Sequence, residues 1–318
     1  MNYKPILIVA GEPNSIFLEI FFKSTKKLNI KNPLILIASI RLIKLQMKKL
    51  KIKRKIKTLN LNYLLDKKLD NRSINVLNVD YKTNRPFEKI SSKSNMYIAD
   101  CFNIAFKILK KYKINKLING PIVKKNFLNR KYLGVTEFIS EKFKVKKNAM
   151  LIYNKKLSVC PVTTHLPISS VAKKIDKKVI AEKVLLIDEF YIKRFKIKPK
   201  IAVLGLNPHC ESIKKFNEDE KIIKPTIKFL KNNKFNVYGP YPADTIFLKK
   251  NRKNFNVILG MYHDQVLTPI KTLFEYDAIN ITLGLPFLRV SPDHGPNEKM
   301  MGRNKSNPLS LINSISFL

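Results

Sequence analysis

The chain has 318 residues and a hydrophobic content of 45%, enough for one large or two ordinary domains with a real core, which excludes disorder as the default. Its 62 Lys and Arg against 23 Asp and Glu give a formal net charge of +39. The lysines run through nearly every segment instead of forming one stripe, so they read as a drift over permissive surface that favours anionic substrates and needs no nucleic-acid partner. Only 9 glycines are present, where an average composition of about 7% would give roughly 22, and most fall in motif-like segments. Cys101, Cys160 and Cys210 are scattered, odd in number and without CxxC spacing; they read as reduced thiols in a cytoplasmic protein, filling the core.

In chain order, residues 5–10 predict a buried strand, 11–14 a turn and 15–28 an amphipathic helix. The apolar run at 6–10 is too short for a signal segment or a membrane span, so a soluble protein is expected. A second strand follows at 34–38. Residues 41–68 are the most basic stretch, with Leu45, Met47, Leu50, Ile52 and Ile56 interleaved. A solvated helix or edge element is favoured there over an RNA-contacting surface, because Arg is sparse and Gly-aromatic signatures are absent. A helix at 99–112 leads to the strand 116–119 and the loop Gly120-Pro121-Ile122. One long helical pattern covers 168–195, with Val171, Ile175, Val179, Ile180, Val184 and Leu185 near one face. Strands at 201–204, 257–261 and 279–283 alternate with helical segments, 221–232 being the clearest. This alternation predicts an α/β protein with a largely parallel sheet.

Three of the four histidines follow apolar, strand-like runs: His165 ends Ser158-Val-Cys-Pro-Val-Thr-Thr-His, His209 follows 201–208 and His263 follows 257–262. Ligands of open α/β sheets bind beyond the carboxyl ends of the strands. Three imidazoles delivered there suit a catalytic divalent metal that keeps positions open for substrate; hydrogen-bonded structural histidines are the other reading. Asp264 and Gln265 either orient a ligating ring or belong to a solvated loop. Asp244, in Gly239-Pro-Tyr-Pro-Ala-Asp-Thr, is either a general base or metal neighbour, or a helix N-cap. Lys271 and Arg289 are natural clamps for phosphate or carboxylate, although composition cannot select them among so many cations. No GxGxxG or GxxxxGK[ST] occurs, so no phosphate-loop fingerprint argues for a nucleotide.

The motifs, taken together, resemble the 4-hydroxythreonine-4-phosphate dehydrogenase family. The resemblance rests on Gly11-Glu12-Pro13, Gly120-Pro-Ile, Thr136-Glu137, Thr163-Thr-His-Leu-Pro, Gly205-Leu-Asn-Pro-His and Gly239-Pro-Tyr-Pro-Ala-Asp-Thr. It continues through Met261-Tyr-His-Asp-Gln, Asn280-Ile-Thr-Leu-Gly-Leu-Pro-Phe-Leu-Arg, Asp293-His-Gly and Gly302-Arg, spanning almost the whole chain. It implies an isocitrate/isopropylmalate-dehydrogenase-like fold of two interwoven α/β/α subdomains, about 1–125 with the C-terminal tail and 126–285, with the active site in the cleft. It implies metal ligation by His165, His209 and His263, and substrate contacts at Thr136, Lys271, Asn280 and Arg289. Asp244 and Lys271 are the expected catalytic residues.

The implied reaction is NAD- or NADP-dependent oxidation of 4-phosphohydroxy-L-threonine with one divalent metal (Zn, Mg or Co), in a homodimer whose sites use both chains. The alternatives are a dehydrogenase of another phosphorylated four-carbon hydroxy acid, and a catalytically impaired homologue with a binding role. Departures from the family pattern are local. Val135 stands where the family's Gly-His-Thr-Glu has its histidine, Asn14-Ser15-Ile16-Phe17 replaces a glycine-rich continuation, Val123 replaces an Asn, and Pro296-Asn297 replaces Thr-Ala. His294 lies in a neighbouring loop and is not assigned to the metal.

Overall fold

A computed structural model describes residues 4–61, 64, 69–112, 114–128, 132, 134–213 and 216–318. The elements begin with β1 (Ile6–Val9), α1 (Phe17–Lys27), β2 (Leu34–Ala38), α2 (Ile40–Lys49), β3 (Ile56–Thr58) and β4 (Ile74–Asn78). Next come α3 (Asn95–Lys111), β5 (Lys116–Asn119), α4 (Lys124–Phe127), α5 (Val135–Lys142), β6 (Ala149–Tyr153) and β7 (Ser158–Pro161). They continue with α6 (Ile168–Lys174), α7 (Lys177–Phe195), β8 (Ile201–Leu204), α8 (Lys224–Asn232), β9 (Val237–Tyr241) and α9 (Ala243–Ile246). The last are α10 (Lys249–Arg252), β10 (Val257–Gly260), α11 (His263–Phe274), β11 (Ile279–Leu283), β12 (Leu288–Pro292) and α12 (Leu309–Phe317). Two compact units divide the chain: Met1–Phe138 with Pro286–Leu318, and Ile139–Leu285.

The first unit carries the strand order β3-β4-β2-β1-β5-β12 with every pairing parallel. Its central strands read Ile-Leu-Ile-Val and Leu-Ile-Leu-Ile-Ala and are buried at every position, as a parallel strand covered on both faces requires. Helix α3 turns Ile98, Cys101, Phe102, Ala105, Phe106 and Leu109 inward at helical spacing. Phe102 is fully buried, with ring centroids 5.7 Å from Phe106, 6.0 Å from Phe127 and 5.5 Å from Phe138. The C-terminal segment is held by a buried carboxylate: Glu19 Oε1 accepts from Ser306 N at 2.7 Å and from Lys23 Nζ at 2.8 Å. The Lys23 ammonium also donates to the carbonyls of Asn304 and Ser306.

The second unit has the order β11-β6-β7-β10-β8-β9. β7, β10, β8 and β9 run parallel, whereas β6 pairs antiparallel with both β7 and β11. Ile152, Val159, Leu204, Ile258, Val266 and Ile270 lie in its core.

The expected α/β class with largely parallel sheets is borne out, and the strands at 34–38, 116–119, 201–204 and 279–283 have the predicted bounds. The basic stretch resolves into α2 and the sheet-edge strand β3; its end, at 62, 63 and 65–68, lies outside the described residues. The single helical pattern at 168–195 is two helices, because the Asp176 carboxylate accepts from Val179 N at 2.8 Å and caps a fresh start. The segment that carries Arg289 forms strand β12. All three cysteines are free and buried, and no helix among the described residues is long and apolar enough to cross a membrane.

Replacing Phe102 by Ala should empty the centre of the aromatic group and cost about 3–5 kcal/mol in urea unfolding. A loss below about 1 kcal/mol would mean the neighbouring rings collapse into the space.

Candidate active site

β7, β10 and β8 are adjacent and parallel, so their carboxyl ends share one edge of the second unit's sheet. His165 follows β7, His209 follows β8, and His263 opens α11 directly after β10. The ladder between β7 and β10 extends past the strands, with Val162 N donating to Gly260 O at 2.7 Å and Thr163 N to Met261 O at 3.1 Å. The Thr163 hydroxyl donates to the same Met261 carbonyl at 2.8 Å. This stapling places the His165 and His263 rings with centroids 5.7 Å apart and tilted by 41°. The Nδ1 of His263 lies 2.6 Å from Asp264 Oδ1, which fixes the ring and leaves Nε2 as its outward nitrogen.

His209 sits on a separate exposed turn. Both it and Cys210 have left-handed backbones, at φ 56° and 61°, a conformation that costs a side-chain-bearing residue energy and persists only when its surroundings hold it. The holder is Asp219, fully buried, whose carboxylate accepts from Leu206 N at 2.8 Å, Asn207 N at 3.1 Å and Asn207 Nδ2 at 2.8 Å. Among the described residues no three His, Cys, Asp or Glu side chains are grouped closely enough to hold a metal ion. One chain therefore brings His165 and His263 together and presents His209 apart from them.

Gln265 proves to be a staple, not a ring-orienting group: its Oε1 accepts from Met261 N at 2.7 Å and its Nε2 donates to Gly205 O at 2.8 Å, joining the ends of β10 and β8. Two glycines make these approaches possible. A side chain on Gly260 would meet Val266 Cγ1 at 2.4 Å, and one on Gly205 would meet Asp219 Oδ1 at 2.6 Å and Cys210 Sγ at 2.7 Å. Asp244 is exposed in the first turn of α9, whose N-cap is Pro242, so it is not the cap; its charge is felt at the Cys210 thiol beside His209. Lys271 is exposed near the end of α11. Asn280, half-buried on β11, keeps its Oδ1 buried with no hydrogen-bond partner among the described residues.

Within the first unit, Arg289 is 2% exposed on β12 and donates from Nε to Asn119 Oδ1 at 2.7 Å, at the end of the adjacent β5. Burial pulls its pKa down to about 10, and the nearby Glu137 opposes this. Thr136 is half-buried in the first turn of α5, next to Val135. His294 Nδ1 lies 2.9 Å from Gly295 O in its own loop. The turn after β1 holds a buried carboxylate: Glu12 Oε1 accepts from Asn14 N at 3.1 Å and Oε2 from the Ser94 hydroxyl at 2.9 Å, while burial pushes its pKa up. Sequence reasoning missed Asp219 and Asn119. Neither lies in a recognisable motif, and their only signal is being short polar residues beside the strand-end segments.

These features define an α/β enzyme with paired imidazoles at its strand ends and a buried, oriented arginine. The family described as pyridoxal phosphate biosynthetic protein PdxA matches residues 23–318. A 4-hydroxythreonine-4-phosphate dehydrogenase of Sulfurihydrogenibium sp. is 34% identical over 321 residues, covering 98% of this chain and 96% of that one. A D-threonate 4-phosphate dehydrogenase of Pectobacterium atrosepticum is 31% identical over 234 residues, 70% of this chain and 72% of that one. The crystal structure of a 4-hydroxythreonine-4-phosphate dehydrogenase from Klebsiella pneumoniae superposes with a TM-score of 0.83 at 25% identity, covering 99% of this chain and 98% of that one. The chain belongs to the PdxA family and is a dehydrogenase of that type.

Two outcomes follow from the buried carboxylates. Asp219→Ala should cost roughly 3 kcal/mol in urea unfolding, and hydrogen exchange at the Leu206 and Asn207 amides should accelerate; Asp219→Asn, which keeps one acceptor, should lose less. Glu12 favours its neutral form in the folded chain, so the stability it adds is present below the ordinary glutamate pKa and is lost as pH rises through the raised folded value. Glu12→Gln should match wild type in urea midpoint near about pH 4 and exceed it near about pH 7.

Proposed function

We propose that the chain oxidises the secondary alcohol of 4-phosphohydroxy-L-threonine with NAD or NADP, giving a 3-oxo acid that decarboxylates to 3-amino-2-oxopropyl phosphate in pyridoxine 5'-phosphate biosynthesis. The observation that carries the reading is the pairing of His165 with His263 at the ends of β7 and β10 in a chain of this family. The donor set suits a divalent metal: two imidazoles, one oriented by the Asp264 carboxylate. His165 and His263 would hold it, with His209 as the third ligand. A bound divalent cation lowers the pKa of an alcohol and stabilises the charge that develops on its oxygen. Ile168, beside the His165 loop, and Ile213 and Phe216, beyond the His209 turn, are exposed apolar side chains, which supports a homodimer whose subunits meet near these histidines.

Arg289, held in plane by Asn119, would grip the phosphate or carboxylate bidentately, and Lys271 would supply a point charge to the other anionic group. The buried Asn280 Oδ1 would accept a hydrogen bond from the substrate, and Thr136 would donate one. Asp244 would take the hydroxyl proton at its carboxylate as hydride passes from the carbon bearing that hydroxyl to the oxidised nicotinamide. No phosphate-cradling glycine run occurs in the sequence, and no residue is assigned to the nicotinamide cofactor. Buried thiols without disulfides are consistent with a cytoplasmic setting.

A second reading is favoured by one relative and one residue. The Pectobacterium enzyme is named for D-threonate 4-phosphate, and Val135 removes an imidazole beside Thr136. The two substrates differ at carbon 2, ammonium in one and hydroxyl in the other. A site that loses a polar partner there discriminates less well between them.

The test is NADH or NADPH formation by the purified chain from each substrate. Turnover of 4-phosphohydroxy-L-threonine should be abolished by EDTA, restored by Zn, Mg or Co, and lowered about a hundredfold or more by His209→Ala. No turnover of this substrate with metal replete would overturn the proposal, and a preference for D-threonate 4-phosphate would establish the second reading. Val135→His should raise kcat/KM for the amino substrate if position 135 contacts it.

A further inference from the structure

A shallow, open groove in the first unit runs between α2 and the segment that enters β3, with a volume of ≈660 Å³. Its walls are Lys44 and Lys48, one turn apart on α2, with Lys53, Arg54 and Lys55 opposite. Its apolar floor is Met47, Ile52 and Ile56, and no carboxylate is among the described residues that line it. None of the four lysines makes an ion pair or hydrogen bond with a described residue.

Lysines beside an edge strand deter pairing with other chains, which is reason enough for Lys55. Arg54 needs a different account. It is half-buried and held in place by neutral acceptors, donating from Nη1 to Thr25 Oγ1 at 2.8 Å and from Nη2 to Asn71 O at 3.0 Å. Thr25 is itself tied to the α1 carbonyls, and Asn71 bridges Ile30, Asn32 and Leu34, so the guanidinium is fixed before any ligand arrives. Burial lowers its pKa. Two of its five N–H donors are taken by described residues, through Nη1 and Nη2.

We propose that this groove binds a ligand bearing a chain of phosphates on an uncharged body, of the nucleoside triphosphate type. The phosphates lie between the α2 lysines and Lys53–Lys55, with Arg54 offering the planar fork that phosphate oxygens match. The uncharged body rests on Met47, Ile52 and Ile56. The volume falls within the range of small-molecule sites, roughly 300–1,000 Å³. None of the described residues that line the groove is an aromatic on which successive bases of a nucleic acid would stack. It shares no residue with the proposed dehydrogenase site.

The test is calorimetric titration of the full chain with ATP and with inorganic tripolyphosphate. The groove variant Lys44→Gln/Lys48→Gln/Lys53→Gln/Lys55→Gln is compared with Lys228→Gln/Lys249→Gln/Lys250→Gln/Lys253→Gln, which removes equal charge from exposed positions elsewhere. Urea midpoints verify folding, and Lys44→Gln/Lys48→Gln alone, on the helix surface, serves if the fourfold variant is unstable. ATP is expected to bind at one site per chain, more tightly than tripolyphosphate, and to weaken about tenfold or more in the groove variant but less than about twofold in the control. Dehydrogenase turnover of the groove variant should be unchanged. Absence of saturable binding, equal weakening in both variants, tripolyphosphate binding at least as tightly as ATP, or displacement of ATP by a single-stranded RNA oligomer at lower concentration would each overturn the assignment. Because the two readouts are separate, failure of the dehydrogenase assay leaves this inference standing, and the reverse also holds.

Discussion

Everything in the second unit's site depends on the parallel pairing of β10 with β7 on one side and β8 on the other. Parallel strands place all their carboxyl ends at one edge, and crossover helices return the chain each time to the opposite edge. Histidines separated by dozens of residues thus emerge as neighbours without any local motif. The strand ends are then locked laterally: the Thr163 backbone and hydroxyl grip Met261, and Gln265 spans from Met261 to Gly205. A slip of β10 by one residue would turn His263 toward the opposite face. The buried runs Val-Ile-Leu-Gly and Ile-Ala-Val-Leu make such a slip costly, since each strand is enclosed on both faces.

Orientation, not mere proximity, is the second requirement. Asn119 orients the buried Arg289 guanidinium through a neutral acceptor that adds no charge of its own. Asp264 does the corresponding job for His263 with a charged acceptor. The His209 turn is ordered differently. Two left-handed residues in succession store strain, which the three hydrogen bonds into the Asp219 carboxylate offset. Gly205 is the condition for that carboxylate to lie against the strand end at all.

Much of this was legible in the sequence, for identifiable reasons. Fully buried parallel strands such as β2 and β8 are continuous apolar runs, so their bounds could be read directly. The strand-end positions of His165, His209 and His263 followed from those bounds. What could not be read were groups whose partner is a backbone amide elsewhere in the chain. Asp219 is one acid among Asn217-Glu218-Asp219-Glu220, and nothing in that string says that it alone is buried beneath Gly205. Gln265 was visible as a candidate orienting group, yet its actual partners, Met261 N and Gly205 O, depend on how β10 and β8 lie together. The helical pattern at 168–195 concealed a break because Asp176 fits the polar positions of one long helix as well as the cap of a second.

The scarcity of acids in this chain sharpens the reading of those that are present. With 62 basic residues, an acid placed at random on the surface would find a cation nearby and gain little, since exposed pairs are worth at most about 1 kcal/mol. Several of the 23 carboxylates instead receive backbone amides: Glu12 from Asn14, Glu19 from Ser306, Asp176 from Val179, and Asp219 from Leu206 and Asn207. Three of these four are buried, where lysine cannot replace the carboxylate, because it brings no acceptor and its own charge would go unpaired. The sites at which a basic drift stops are therefore the sites at which the fold needs an acceptor. Asp219, Glu12 and Glu19 mark, respectively, the His209 turn, the loop after β1 and the anchorage of the C-terminal segment.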